Sequence, residues 1–487
     1  MKSIGVLSVV SEIYPIIKTG GLADVAGALP VALKMEGIDT RTLVPGYPAV
    51  MEALEGKQQL LESQSYFGGT ARLLAGSCGA LDLLVLDAPH LFARPGNPYL
   101  SPEGVDWPDN GFRFAALARM AANIGLGAVP SFVPDVVHSH DWQAALTSAY
   151  LHYSGQARPG TVMTIHNLAY QGRFPRQIID EIGLPPESFT MHGVEYYGDI
   201  GFLKAGLQFA DRITTVSPTY AIDIQGDEGG MGLGGLLRAR SGQLRGILNG
   251  IDIDVWDPAT DPAIPHHFSA ADLDRRSLNK AALQHRFGLE EKNETVLLGV
   301  ISRLSWQKGL DLLIECLPTV LNEGMQLVLL GSGDTDLGDK FQAAAKANPA
   351  QIGVMVGYDE AFAHLIQAGA DALVVPSRFE PCGLTQLCAL RYGAVPIVSA
   401  VGGLGDTVVD TIETTAERAT GFKFGPVSTE NLAATLRRAH TVFRDKTTWR
   451  QIQLRGMSTD VSWRHRASQY ADLYREVADI RPTGGHA

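Results

Sequence analysis

The chain has 487 residues, 45% of them apolar, with 52 acidic against 40 basic side chains and a formal charge of −12. That length is well above the ~100–200 residues usual for one domain, so two domains are expected. The acidic balance argues against general nucleic-acid affinity, which shows as a basic face, and four cysteines with no CxxC spacing fit a reducing compartment rather than a disulfide scaffold.

The opening MKSIGVLSVVSEIYP carries one lysine and a short apolar run broken by Glu12, without the small-residue cleavage pattern of a secretory signal. No uninterrupted apolar stretch approaches the ~18 residues of a membrane span. A cytoplasmic protein without a membrane partner is the expectation.

IGVLSVV reads as the first strand and ADVAGALP as the start of the helix after it, with KTGGL as the loop between. Lys18, Gly20 and Gly21 make that loop cationic and poor in side chains. Glycines let backbone N–H groups approach a phosphate, and the helix that follows adds its positive end. A plain glycine turn with a solvated lysine fits the same letters. Further apolar runs, LDLLVLDAP, DVVHSHD, TVMTIHN and RITTVS, alternate with amphipathic stretches, as parallel strands covered on both faces do. Asp141 in HSHDWQ and His166 in TIHNLAYQG fall at strand ends, where open parallel sheets gather ligands. His138, His140, His166 and Asp141 raise the question of a metal. However, strand alternation puts the first two histidines on one face and Asp141 on the other, which argues against one. Each histidine alone reads equally as a hydrogen-bonded core residue.

Between about residues 220 and 290 the rhythm changes to glycine-rich and then proline-rich sequence, so a domain boundary is placed close to GILNGID. The expected spans are 1–245, 246–458 and 459–487. The second series of strands reads TVLLGVIS, MQLVLLGSG, IGVMVGY, DALVVPS and AVPIVSA. SRLSWQKGLD follows the first of these, and Arg303 and Lys308 bracket its turn. Two cations at a helix start oppose its dipole unless an anion is present. GSGD is a weak signal alone, and the absence of a full GxGxxG near the start disfavours a nicotinamide enzyme. In PSRFEPCGLTQLCALRYG a helix is expected near Gly383, so that amides at Gly383, Leu384 and Thr385 could hold a diphosphate. Glu380 just before it would repel phosphate and suits sugar hydroxyls instead, or else caps the helix. Cys382 and Cys388 read as packing residues. VSWRHRASQYADLYREVADI reads as a last helix anchored by Trp463, Tyr470 and Tyr474. The whole is α/β, two doubly wound Rossmann-like domains with a deep cleft between them as the expected ligand site.

Taken in order, KTGGLADVAGALP, HSHDWQ, TIHNLAYQG, GILNGID, SRLSWQKGLD and PSRFEPCGLTQLCALRYG resemble bacterial glycogen synthase and the plant starch synthases, from roughly residue 4 to residue 475. The resemblance implies a GT-B glycosyltransferase with its C-terminal helix crossing back to the first domain. It implies transfer of glucose from ADP-glucose to the non-reducing end of an α-1,4-glucan, glycogen or a malto-oligosaccharide, with retention and with no metal or other cofactor. By the same resemblance Lys18, Arg303 and Lys308 form a diphosphate clamp, with Gly20, Gly21 and Asn249 among the substrate contacts. Glu380 and the amides from Cys382 to Thr385 hold glucose and phosphate, and His166 and Asp141 line the glucose site. Tyr358 is the adenine platform, and Glu12, Tyr99 and Asn167 face acceptor sugars. One departure stands out: many retaining relatives carry a second glutamate where this chain has Cys388. The alternatives are a UDP-glucose enzyme of sucrose or trehalose type, a glucan phosphorylase, or an inactive glucan-binding scaffold.

Overall fold

The computed structural model describes residues 3–413 and 418–480. The chain forms two compact units, one built from the residues up to Asn249 with the segment from Trp463 onward, the other from Gly250–Ser462.

The first unit rests on a nine-stranded sheet. Its order is Leu244–Gly246, Arg212–Thr215, Gly160–Ile165, Val136–His140, Ile4–Val9, Ile38–Pro45, Leu81–Asp87, Gly69–Cys78, Glu55–Tyr66. The first seven are parallel, and every residue of Val136–His140 and Gly160–Ile165 is buried, as continuous apolar runs require when helices cover both faces. The last two form an antiparallel hairpin that the sequence reading did not anticipate. Its outer strand is mostly exposed and shows no apolar run, and its turn places Phe67 and Gly68 at φ +49° and +88°. A second small antiparallel sheet joins Arg173–Phe174, Asp199–Gly201 and Glu195–Tyr196.

The helix Trp463–Asp479 completes this unit. Trp463, Ala467, Tyr470, Leu473, Tyr474 and Val477 recur at helical spacing and pack against Val25, Leu29 and Leu33 of the helix Gly21–Lys34 and against Val6, Val136 and Val162 of the sheet. The expected anchors Trp463, Tyr470 and Tyr474 are each at most 5% exposed. Glu476 accepts from Arg212 and Arg245, and Arg475 donates to the carbonyl of Glu36.

The second unit has six parallel strands in the order Ile352–Val356, Gln326–Gly331, Leu297–Ile301, Ala372–Val375, Val395–Ser399, Phe422–Phe424. Alternate side chains feed two cores. Leu298, Val300, Leu327 and Leu329 meet the helices Leu310–Asn322 and Thr429–Arg444, and Leu297, Val328 and Leu330 meet Glu360–Gly369. In chain order the sheet runs 3-2-1-4-5-6, so its direction of winding reverses between Leu297–Ile301 and Ala372–Val375. In the first unit the same reversal falls between Ile4–Val9 and Val136–His140. Such reversals open a crevice beyond the strands' carboxyl ends. Among the described residues no helix is long and apolar enough to cross a membrane.

Candidate active site

At the second unit's reversal, the loops after Ile301 and Val375 carry most of the expected donor-side residues. The turn Trp306–Lys308 is followed by Gly309 at φ +64°, where a Cβ would meet the carbonyl oxygen of Pro376 at 2.0 Å. Only glycine lets the two loops lie this close. Lys308 Nζ then reaches Glu380 Oε2 at 2.5 Å, and the Ser377 hydroxyl donates to the same oxygen at 2.9 Å. Glu380 is therefore a buried, paired carboxylate (7% exposed) and not a helix cap. Arg378 grips Asp311 with two hydrogen bonds of 2.7 and 2.6 Å and packs over the Trp306 ring. Its backbone N–H donates to Gln307 at 2.8 Å, tying the two loops together.

The stretch beyond Glu380 is held from behind by Gly402 and Gly403, which the sequence reading passed over. The Gly403 N–H donates to the Glu380 carbonyl at 3.1 Å, and a Cβ at Gly402 would meet that oxygen at 2.1 Å. The signal was present as a second Gly–Gly at a helix start after a strand, the pattern of Gly20 and Gly21. The helix Thr385–Tyr392 begins two residues later than the expected Gly383, because Gly383 sits at φ +77°. The Gln386 amide donates to the carbonyls of Cys382 and Gly383 and fixes the loop that presents the first-turn amides from Leu384. Cys388 packs among Ile251, Leu387, Leu390 and Val461.

Arg303 is exposed on a segment locked to GSGD: the Leu304 N–H donates to Ser332 at 2.7 Å, and the Asp334 N–H to Leu304 at 2.8 Å. The Gly357 N–H donates to Gly331 at 2.8 Å, and Tyr358 follows with 71% of its surface exposed. Arg303, GSGD and Tyr358 thus stand at the carboxyl ends of three neighbouring strands, with Lys308 and Glu380 at the reversal itself.

In the first unit, the loop after Val9 answers the question raised by KTGGL in an unexpected way. The Glu12 carboxylate accepts from the Thr19 N–H at 2.5 Å, the Gly20 N–H at 3.2 Å, the Thr19 hydroxyl at 2.9 Å and the Tyr99 hydroxyl at 2.9 Å. The anion against these amides belongs to the chain itself. Burial raises the carboxyl's pKa, against the lowering effect of those donors. Lys18 lies 2.7 Å from Asp24 and beside the Tyr14 ring.

Asp141 lies past the strand end as the first residue of the helix Asp141–Tyr153, so the alternation expected to put it on the opposite strand face does not reach it. At φ +54° it accepts from the N–H groups of His166 at 2.7 Å and Asn167 at 3.4 Å. Burial pushes its carboxyl up to about 7, partly offset by those two amides, and Glu12 adds to the rise. His138 and His140 do share one strand face, with rings 3.9 Å apart, and His140 Nδ1 lies 3.0 Å from His166 Nε2. Burial lowers His138 and His166 to about 3 and takes His140 well below its ordinary value. Asn249 is buried, and its Oδ1 meets no partner among the described residues.

Residues 5–239 match the family described as the starch synthase catalytic domain, and residues 282–441 match glycosyl transferases group 1. The chain is 68% identical to glycogen synthase 2 of Bradyrhizobium diazoefficiens over 98% of both chains, and 62% identical to a glycogen synthase of Rhodopseudomonas palustris over 99% of both. Among solved structures it superposes with TM-score 0.88 on the catalytic domain of starch synthase IV from Arabidopsis thaliana, bound to ADP and acarbose. That match has 31% identity and covers 98% of this chain and 100% of the other. A sucrose-phosphate synthase from Thermosynechococcus elongatus shares the fold, with TM-score 0.61 and 17% identity over 97% of this chain and 99% of that one.

Proposed function

The chain belongs to the bacterial glycogen synthases, and from that membership we propose how its residues share the work of lengthening a glucan from ADP-glucose. The reaction is glucosyl transfer in glycogen biosynthesis. In the proposed division, residues 250–462 take the nucleotide sugar. Tyr358, broad-faced and exposed, stacks the adenine; Arg303, Lys308 and the amides from Cys382 to Thr385 meet the diphosphate. The relative bound to ADP and acarbose supports this choice of ligands.

As the glycosidic bond breaks, negative charge grows on the leaving phosphate. Fixed cations and helix-start amides aimed at that charge lower the barrier because they need no reorganisation when it appears. Glu380, held by Lys308 and Ser377, then faces the hydroxyls of the glucose rather than the phosphate. On the first unit, Asp141 and His166 receive the glucose, and Lys18 with Gly20 and Gly21 contributes to the diphosphate. Glu12, Tyr99 and Asn167 serve the acceptor sugars, and Glu12 also holds the turn at Thr19 and Gly20 in place. ADP departs from C1 of the glucose, and the acceptor's 4-hydroxyl attacks C1 on that same face. The hydroxyl proton passes to the departing phosphate oxygen, and the configuration is retained in the new α-1,4 link.

One observation carries this reading: the 2.5 Å contact of Lys308 with Glu380 at the sheet reversal, which puts a cation and a sugar-binding carboxylate at one point. The test is ADP release from ADP-glucose with and without glycogen, repeated with UDP-glucose. Glycogen-dependent release from ADP-glucose is expected. Glucan binding without release would turn the reading to a scaffold, and preference for UDP-glucose would reject the donor.

A further inference from the structure

Behind His166 lies a buried relay that the transfer reaction does not explain. Ser8 Oγ lies 3.3 Å from His140 Nε2, and His140 Nδ1 lies 3.0 Å from His166 Nε2. Ser8 and His140 are at most 5% exposed. The relay is braced from one side by His138, whose ring lies 3.9 Å from that of His140 at 36°. His138 is itself pinned by the Tyr474 hydroxyl at 2.7 Å and Thr164 Oγ1 at 2.5 Å. Both nitrogens of His138 are therefore taken, and its ring packs against His140 without joining the relay. Burial keeps all three imidazoles neutral, so each has one N–H and one bare nitrogen.

Only two arrangements of protons satisfy both contacts. In one, His166 donates from Nε2 to His140, His140 donates from its own Nε2 to Ser8, and the buried Ser8 hydroxyl hydrogen is left with no acceptor among the described residues. In the other, Ser8 donates to His140 Nε2, His140 donates from Nδ1 to His166 Nε2, and every buried hydrogen is used. The second leaves His166 with its hydrogen on Nδ1, the one nitrogen of these three rings for which no partner exists among the described residues.

We propose that Ser8 and His140 are positioning residues that hold His166 as its Nδ1–H tautomer, so that its ring offers the sugar a hydrogen-bond donor and never an acceptor. The inference rests on the assignment of His166 to the glucose site. It specifies the ligand chemistry: the sugar hydroxyl met by this ring must present a lone pair and send its own hydrogen elsewhere.

The test is ring-nitrogen NMR on the full-length protein labelled with 15N-histidine, without substrate, using His166→Gln to identify the His166 signals. Protonated Nδ1 and bare Nε2 are expected. In His140→Leu both tautomers of His166 should be populated. There kcat should fall about tenfold, the effect of one transition-state hydrogen bond, with KM for ADP-glucose within about twofold. His140→Asn, whose side-chain amide can donate from near the Nδ1 position, should recover most of kcat. Ser8→Ala removes a single oxygen and should shift the tautomers in the same direction even if His140→Leu does not fold. A wild-type His166 protonated on Nε2, or tautomers unchanged in both variants, would overturn the relay. Full activity in His166→Gln would instead overturn the placement of the sugar while leaving the NMR result standing, so the two failures are distinguishable.

Discussion

Gly20 has an extended backbone, φ −157° and ψ −170°, which any residue adopts, and a Cβ built there meets nothing within 4 Å. The fold itself makes no demand for glycine at this point, whereas at Gly27 a Cβ would strike the Tyr14 carbonyl at 2.5 Å. Gly20→Ala should therefore leave thermal stability unchanged or raise it by up to about 1 kcal/mol, while raising KM for ADP-glucose; unchanged kinetics would mean no ligand comes near the loop. At Lys308 the expectation differs, because its removal leaves the Glu380 carboxylate buried and uncompensated. Lys308→Ala should lose about 3–5 kcal/mol in denaturant unfolding as well as ~10²–10³-fold in kcat. Adding Glu380→Gln should restore much of the stability and none of the turnover, and recovery of activity in the double variant would refute the paired roles. Asp141 supplies a pH signature. Its folded-state pKa, about 7 against an ordinary 3.8, means the native state binds the extra proton between those values. Its contribution to stability is thus fully present below pH 3.8 and is lost as pH rises through about 7. Asp141→Asn keeps the amide-accepting oxygen and tolerates φ +54°, so melting temperatures followed against pH should lose that decline.

Among elements, the helix Trp463–Asp479 joins packing to chemistry, since Tyr474 both fills the core and holds His138. Tyr474→Phe keeps the ring and leaves His138 Nδ1 buried without a partner, which should cost about 1–3 kcal/mol by equilibrium unfolding. No loss would show that the hydroxyl contributes nothing there. The parallel strands were legible because burial on both faces writes them as unbroken apolar runs such as TVMTI and LLGVI. The hairpin Glu55–Cys78 was not, because its outer strand faces solvent and needs no apolar pattern. Local loops were legible for the same reason that motifs are: Lys18, Arg303, Lys308 and Glu380 sit in short stretches whose glycines and charges occur together. What stayed hidden were partners far apart in the chain. Ser8 meets His140 across 132 positions and Glu380 leans on Gly402 and Gly403, and no spacing rule connects such pairs.

On the scale of the whole molecule, each unit closes its own cores, but only the second does so with one continuous piece of chain. Residues 250–462 expressed alone should fold cooperatively. Residues 1–249 without the final helix should bind a hydrophobic dye and melt broadly, because Val6, Val25, Leu29, Val136 and Val162 lose the cover of Trp463, Tyr470 and Tyr474. A sharp melt from the truncated first half would contradict the closing role given to that helix. The same threading sets a schedule on the ribosome. About 230 residues separate Asn249 from Asp479, so at ~5–20 residues per second the earliest half waits roughly 10–50 s for its last wall. Throughout that interval an oily groove lies open on the nascent polypeptide, and the portion born first is the last to be sealed.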